Sequence, residues 1–423
     1  MLNLVGVIIA FIVILILIRK KVNFGLTLLL GSLIIGVFSL EVISPIDIPK
    51  TMIDASFYSF DTHTIVTSTT ELALLMTLIF VLAKCMQETG AIDRLINSLR
   101  TFFSKGGTVG VIPAVYGLMP NPGGSLFSAP LVDTEGNKYR LNKDQKNFLN
   151  VWFRHIWFPI YPISQAMIII CSVSFSDIPM GTLILANFIG FLAFVVIGLF
   201  YLRRFIGRQP KKRNDPPHAV HGLIYLLPPI VPLFFYPLTY LSKDFTEIRC
   251  FLLGVTVSIF LLFILTKSDG KTYGRIIKKS LTWKLAFAVF GIIIFQEMFK
   301  ASQVHILIQQ LMSSVAFPAL IIIIVIPFLL GALTGSDFGA LAPLSYSLVA
   351  PFFSLTGVSL LGLTSIIFIS SFLGYLISPI HLCNVLSSDY LKTDTTRMYK
   401  FFIPAVLITL SIQVVFVILV FHG

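Results

Sequence analysis

Four short segments carry nearly all the polar side chains that could do chemistry inside an otherwise apolar chain. Asn121, Ser125 and Ser128 accompany the string MPNPGGS at 119–125, and Thr334, Ser336 and Asp337 accompany LTGSDFG at 333–339. Tyr161, Ser164 and Gln165 follow the prolines of WFPIYPISQ, and Ser378, His381 and Asn384 surround Pro379 in ISPIHLCN. In the last two, proline withdraws an amide donor and clashes with the preceding turn, so each reads as two half-helices joined by unwound backbone; Pro and Gly interrupt the first segment and Gly335 and Gly339 the second. Such backbone offers carbonyls suited to Na+ and helix N-termini suited to an anion. The candidate substrate contacts are therefore Asn121, Gly123, Gly124, Ser125, Tyr161, Ser164, Thr334, Gly335, Ser336, His381 and Asn384. Gly123, Gly124 and Gly335 are included because backbone without a side chain lets a ligand approach closely. Asn121, Ser336 and Asp337 are the candidates for a coupling ion.

Asp337 is a carboxylate at membrane depth, costly unless it is paired, protonated or bound to a cation. It either ligates a cation, carries a proton, or caps the half-helix beginning near Phe338. Arg154 and His155 lie close before the first proline break; the arginine either attracts an anion or snorkels to Asp133. His381 either titrates near neutrality or is a hydrogen-bonded structural residue. Glu71, in STTELALL, reads as paired within the bundle. Cys85, Cys171, Cys250 and Cys383 are scattered singly, without the spacing of a disulfide framework or a zinc knuckle, and read as buried packing. No HExxH, GxSxG or GxGD string is present, and no nucleophile and base stand at recognisable spacing, which argues against an intramembrane enzyme.

The elements that must hold these residues are membrane-spanning helices. Of 423 residues 56% are apolar and only 12% charged, which describes an all-α polytopic protein without a soluble domain. The net charge of +12 lies in short clusters between apolar segments, with no basic, aromatic-interleaved face, so nucleic acid is not the partner. The first apolar segment is followed, not preceded, by Arg19, Lys20 and Lys21, the reverse of a signal peptide, and reads as a retained span. About ten segments are long enough to cross at about 20 residues each: 2–18, 24–40, 64–84, 149–172, 180–202, 219–241, 249–266, 282–299, 357–381 and 401–421. Residues 107–132 and 316–350 are apolar but broken at their centres, and read as two re-entrant hairpins. With the N-terminus outside and both hairpins returning to their own side, 25 of the 31 Lys and Arg residues fall in cytoplasmic segments, and the C-terminus lies outside.

The basic run RRFIGRQPKKRNDPPH, 203–218, reads as a cytoplasmic linker between a first repeat, 1–202, and a second, 219–423. Each repeat offers two spans, a third span, an amphipathic piece (AIDRLINSLRTFF or VHILIQQLMSS), a hairpin, a broken span and a last span. Because the first repeat starts outside and the second inside, the two are inverted.

This arrangement resembles the ion transporter superfamily of divalent-anion:sodium symporters, gluconate and citrate permeases and arsenite transporters. The strings PNPGGSLFSAPLVD and LGYLISPIHLC are most similar to an uncharacterised prokaryotic integral membrane family within it. Where the dicarboxylate branch carries Ser-Asn-Thr at both tips, this chain has Pro-Asn-Pro and Thr-Gly-Ser, so only Asn121 and Thr334 correspond. The resemblance implies a homodimer in a prokaryotic plasma membrane, with scaffold helices and a mobile unit holding the hairpins. The function expected is secondary active transport of a small carboxylate-type anion coupled to Na+ or H+, without another cofactor. The alternatives are a transporter of a larger amphiphile such as a lipid-linked phosphate, or, in a different class, an intramembrane enzyme.

Overall fold

Several helix boundaries fall where the sequence supplies a cap or a proline. Asn23 accepts from the Leu26 amide to start Phe24–Phe38, and Asn142 with Gln145 forms a reciprocal capping box at the start of Lys143–Arg154. Thr246, Asp269, Ser164 and Ser359 cap the helices that follow them in the same way. A computed structural model describes residues 1–20, 22–103, 106–118, 124–207, 220–242, 244–313, 318–335 and 338–422. Among these the chain is almost wholly helical. The only sheet is a hairpin of two-residue strands, Tyr58–Ser59 paired with Thr64–Ile65.

Among the described residues, eight helical stretches are long and apolar enough to cross a membrane: Leu2–Arg19, Ser68–Glu88, Met180–Ile206, His221–Tyr240, Glu247–Thr266, Gly270–Ala301, Leu360–Leu391 and Thr395–Val420. The protein is therefore a multi-pass, all-α membrane protein. One of the ten expected spans differs in length. Phe24–Phe38 has 15 residues between its caps, short of the roughly 20 needed for an untilted crossing. The 149–172 segment is divided, as its prolines predict, into Lys143–Arg154 and Gln165–Cys171. In His221–Tyr240 the prolines at 228, 229, 232 and 237 deny amides to the α pattern, and Val220–Leu226 and Val231–Tyr240 wind as 3-10 helix.

The 107–132 and 316–350 regions each contain a pair of short helices in mutual contact: Gly107–Gly117 with Ser125–Asn137, and Ala319–Thr334 with Phe338–Val349. Amphipathic helices precede both, at Ala91–Phe102 and Val304–Ser313. The centre of the bundle is Leu360–Leu391, with 78% of its most apolar window buried, against 28% to 33% for Leu2–Arg19, Met180–Ile206 and Thr395–Val420. Those outer helices present bare Leu, Ile, Val and Phe side chains such as Leu185, Phe200 and Leu419, as a lipid-facing surface requires. Ala319–Thr334 lies tightly against Leu360–Ile377, because a Cβ on Gly374 would strike the Phe328 carbonyl and one on Gly331 would lie 2.5 Å from the Ser371 oxygen.

Candidate functional site

Both proline breaks are present, and each is held open by an asparagine. At the second, Leu360–Ile377 stops before Pro379, and Leu382–Leu391 begins with His381 as its N-cap. Asn384 reaches back and donates from Nδ2 to the Leu376 carbonyl at 2.9 Å, which the interruption leaves without a helical donor, and to the Ser378 carbonyl at 3.0 Å, which also accepts from the His381 amide. At the first, Lys143–Arg154 stops at His155, and Trp157 to Ser164 runs without regular helix until Ser164 caps Gln165–Cys171. Asn187 donates to the Pro159 carbonyl at 2.9 Å, and is held in turn by Ser365, which Gln413 contacts at 2.8 Å. All three are buried.

The two breaks, which come from opposite halves of the chain, meet. Asn147 donates to Ser388 at 2.7 Å and Asn150 to Ser387 at 2.8 Å, joining Lys143–Arg154 to Leu382–Leu391. Asn150 also donates to the Ser125 carbonyl and accepts from Ser128 at 2.6 Å. Ser125 Oγ donates to the Cys383 carbonyl at 2.8 Å, which sets the start of Ser125–Asn137 beside the start of Leu382–Leu391. Neither helix has a side-chain cap on its first turn. Arg154 fills the space in front of Gly124, where a Cβ would collide with its guanidinium, and it donates to the Tyr116 carbonyl. Asp133, the alternative partner expected for Arg154, instead accepts from Lys146 at 2.7 Å.

Of the expected site residues, Gly124, Ser125, Gly335, His381 and Asn384 gather around this junction. Gly335 has a left-handed φ of +48°, and a Cβ there would lie 2.5 Å from Ser378 Oγ and 2.8 Å from the His381 amide. Thr334 is buried, with its hydroxyl given to the Leu330 carbonyl at 2.7 Å. Tyr161 and Ser164 lie in the connection after the first break, where the Ser164 hydroxyl is engaged as a cap. Asn121, Gly123, Ser336 and Asp337 lie outside the described residues. Glu71 is paired as expected, accepting from Arg249 at 2.9 Å.

The sequence reading missed three things here. The asparagine and serine ladder was not singled out, although Asn147 and Asn150 stand i, i+3 on one helix face, a spacing that brings side chains together. Nothing in its spacing sets Cys383 apart from the other three cysteines. All four are buried, but Cys383 shares its surroundings with His155 and His381, and the nearest ligand atoms of the three lie within 4.8 Å of one another. Several buried atoms also have no hydrogen-bond partner among the described residues: Ser378 Oγ, both ring nitrogens of His381, and Asn384 Oδ1.

Residues 2–421 match the family described as "Protein of unknown function (DUF401)", and the chain belongs to that family. No curated protein matches it.

Proposed function

We propose that this member of the DUF401 family is a secondary active transporter of a small carboxylate-type anion, coupled to Na+ or H+ and working by alternating access. The observation that carries the reading is the junction itself. Two helix starts without side-chain caps, at Ser125–Asn137 and Leu382–Leu391, lie side by side near the Arg154 guanidinium. Helix N-termini and a guanidinium all favour negative charge, and a carboxylate matches the planar donor fork of arginine. Ser378 Oγ adds a hydroxyl at the same place.

The helix order supports a repeat. In each half an amphipathic helix precedes a pair of short helices, then a proline-broken segment, then a long final helix. We read Gly107–Gly117 with Ser125–Asn137, and Ala319–Thr334 with Phe338–Val349, as re-entrant hairpins of inverted repeats over 1–202 and 219–423. In that reading the basic run at 203–218 is cytoplasmic and both termini face outward across a prokaryotic plasma membrane. The transporter is a homodimer, and Asn121, Ser336 and Asp337 serve the coupling ion. Broken helices at the midplane of two repeats are the arrangement in which one substrate site is exposed alternately to either side.

Reconstituted protein should accumulate a labelled organic acid under an imposed Na+ or proton gradient, and accumulation should stop when that gradient is collapsed. A thermal-shift screen of organic acids with and without Na+ identifies the acid to use, because a ligand bound only by the folded state raises its stability. Conversion of the acid, or uptake indifferent to both gradients, would overturn the proposal.

A further inference from the structure

His155, His381 and Cys383 are 1%, 0% and 3% exposed, and the nearest ligand atoms of all three lie within 4.8 Å of one another. His155 Nδ1 stands 2.7 Å from the Val151 carbonyl. A carbonyl only accepts, so Nδ1 carries the proton, and in the neutral ring Nε2 presents a lone pair. Histidine ligands are held this way, with the second nitrogen tied to a carbonyl that fixes ring and tautomer. The His381 ring packs 4.9 Å from that of His155 and 4.0 Å from that of Tyr375. Neither of its nitrogens has a hydrogen-bond partner among the described residues, an expensive state for a fully buried imidazole. Cys383 is the second residue of the ten-residue Leu382–Leu391 helix, where the positive end of the helix favours a thiolate.

We propose that these residues form a binding site for a monovalent thiophilic metal ion, copper(I), with His155 Nε2, one ring nitrogen of His381 and the Cys383 sulfur as its three ligands. Thiolate and imidazole are the donors such an ion selects. Charge decides between copper(I) and zinc(II). One thiolate and two neutral imidazoles around a monovalent ion give a neutral cluster, which can sit in a low-dielectric interior. A divalent ion would leave a net positive charge close to Arg154, and would call for a fourth ligand. The cluster lies in the junction assigned above to an anion, but it rests on its own donor atoms and does not require anion transport.

The test is a titration of the purified full-length protein, reduced and anaerobic, with copper(I) in competition with a chromophoric copper(I) chelator. The wild type should take one equivalent per chain. Changes outside the ligand shell typically cost 10–100-fold in affinity, so Cys383→Ser, which keeps the backbone carbonyl used by Ser125, should weaken binding about a hundredfold or more. His381→Gln should weaken it as well, and X-ray absorption of the wild-type complex should show one sulfur at the metal. Absence of binding to monodisperse wild type would overturn the assignment, as would wild-type copper affinity in both variants or tighter binding of zinc than of copper. Thermal shifts by organic acids, recorded on the same preparations, report separately on the anion reading.

Discussion

Asn384 shows how one side chain makes a broken helix stable at membrane depth. Its amide answers the Leu376 carbonyl and shares the Ser378 carbonyl with the His381 amide, while its own Oδ1 is left without a partner among the described residues. Asn384→Ala should therefore destabilise the fold by about 1–3 kcal/mol, the range for stranding buried partners, read as a lower midpoint of thermal unfolding in detergent. Asn384→Asp keeps the shape but loses both donors, so it should be no milder. Asp337 belongs to a different case, argued from its residue type alone. Asp337→Asn retains the shape of the side chain and removes its charge, so transport should be lost or uncoupled while the protein still elutes as a single species. Accumulation with unchanged ion dependence would reduce Asp337 to a helix cap.

At the scale of elements, two glycines where Ala319–Thr334 meets the central helix, Gly374 within that helix and Gly335 beside its break, make opposite predictions. Gly374 is a packing glycine, since a Cβ would enter the Phe328 carbonyl, so Gly374→Ala should lower the yield of folded protein. Gly335 is conformational, and a side chain at its left-handed φ costs about 1–2 kcal/mol, with its Cβ directed at Ser378 and His381. Gly335→Ala should fold, with a somewhat reduced unfolding midpoint, and lose most uptake. The breaks that place these residues were legible in the sequence because proline withdraws its own amide: Pro159, Pro162 and Pro379 lie at breaks, although Pro113, Pro130, Pro327, Pro343 and Pro404 are carried inside helices. The amphipathic helices were legible by their periodicity. The union of His155 with His381 and Cys383 was not, because it depends on which helix faces met, and single residues in separate apolar segments give no spacing to read. Phe24–Phe38 is two residues shorter than the apolar segment 24–40, because the helix ends at Ser39.

At the scale of the whole molecule, the first broken segment is also tied to the last helix outside the membrane. Asp144 accepts from Thr393 at 2.6 Å and from Lys400 at 3.0 Å. Partial burial pushes its carboxyl up, but the hydrogen bonds from Thr393 and Lys400 and the charges of Lys400 and Arg397 outweigh it, holding the group below the ordinary carboxylate range. A group depressed in the folded state stabilises it above the unfolded value of about 4. That contribution fades as pH falls through the lower folded value. Asp144→Asn should accordingly melt below the wild type at neutral pH, with the two midpoints converging as the medium is acidified into that range. A difference that persisted unchanged in acid would assign the loss to shape rather than charge.

The ladder joining the two halves also has a consequence for biogenesis. Asn147 and Asn150 find their serines 241 and 237 residues later in the chain, and Ser125 finds the Cys383 carbonyl 258 residues later. At 5–20 residues per second, the first half waits roughly 10–50 s in the bilayer with these polar groups unmatched. During that interval it is a natural client for insertion chaperones and a target for membrane proteases. A chain halted after residue 202 should be degraded rapidly, and co-expression of residues 203–423 as a separate polypeptide should rescue it.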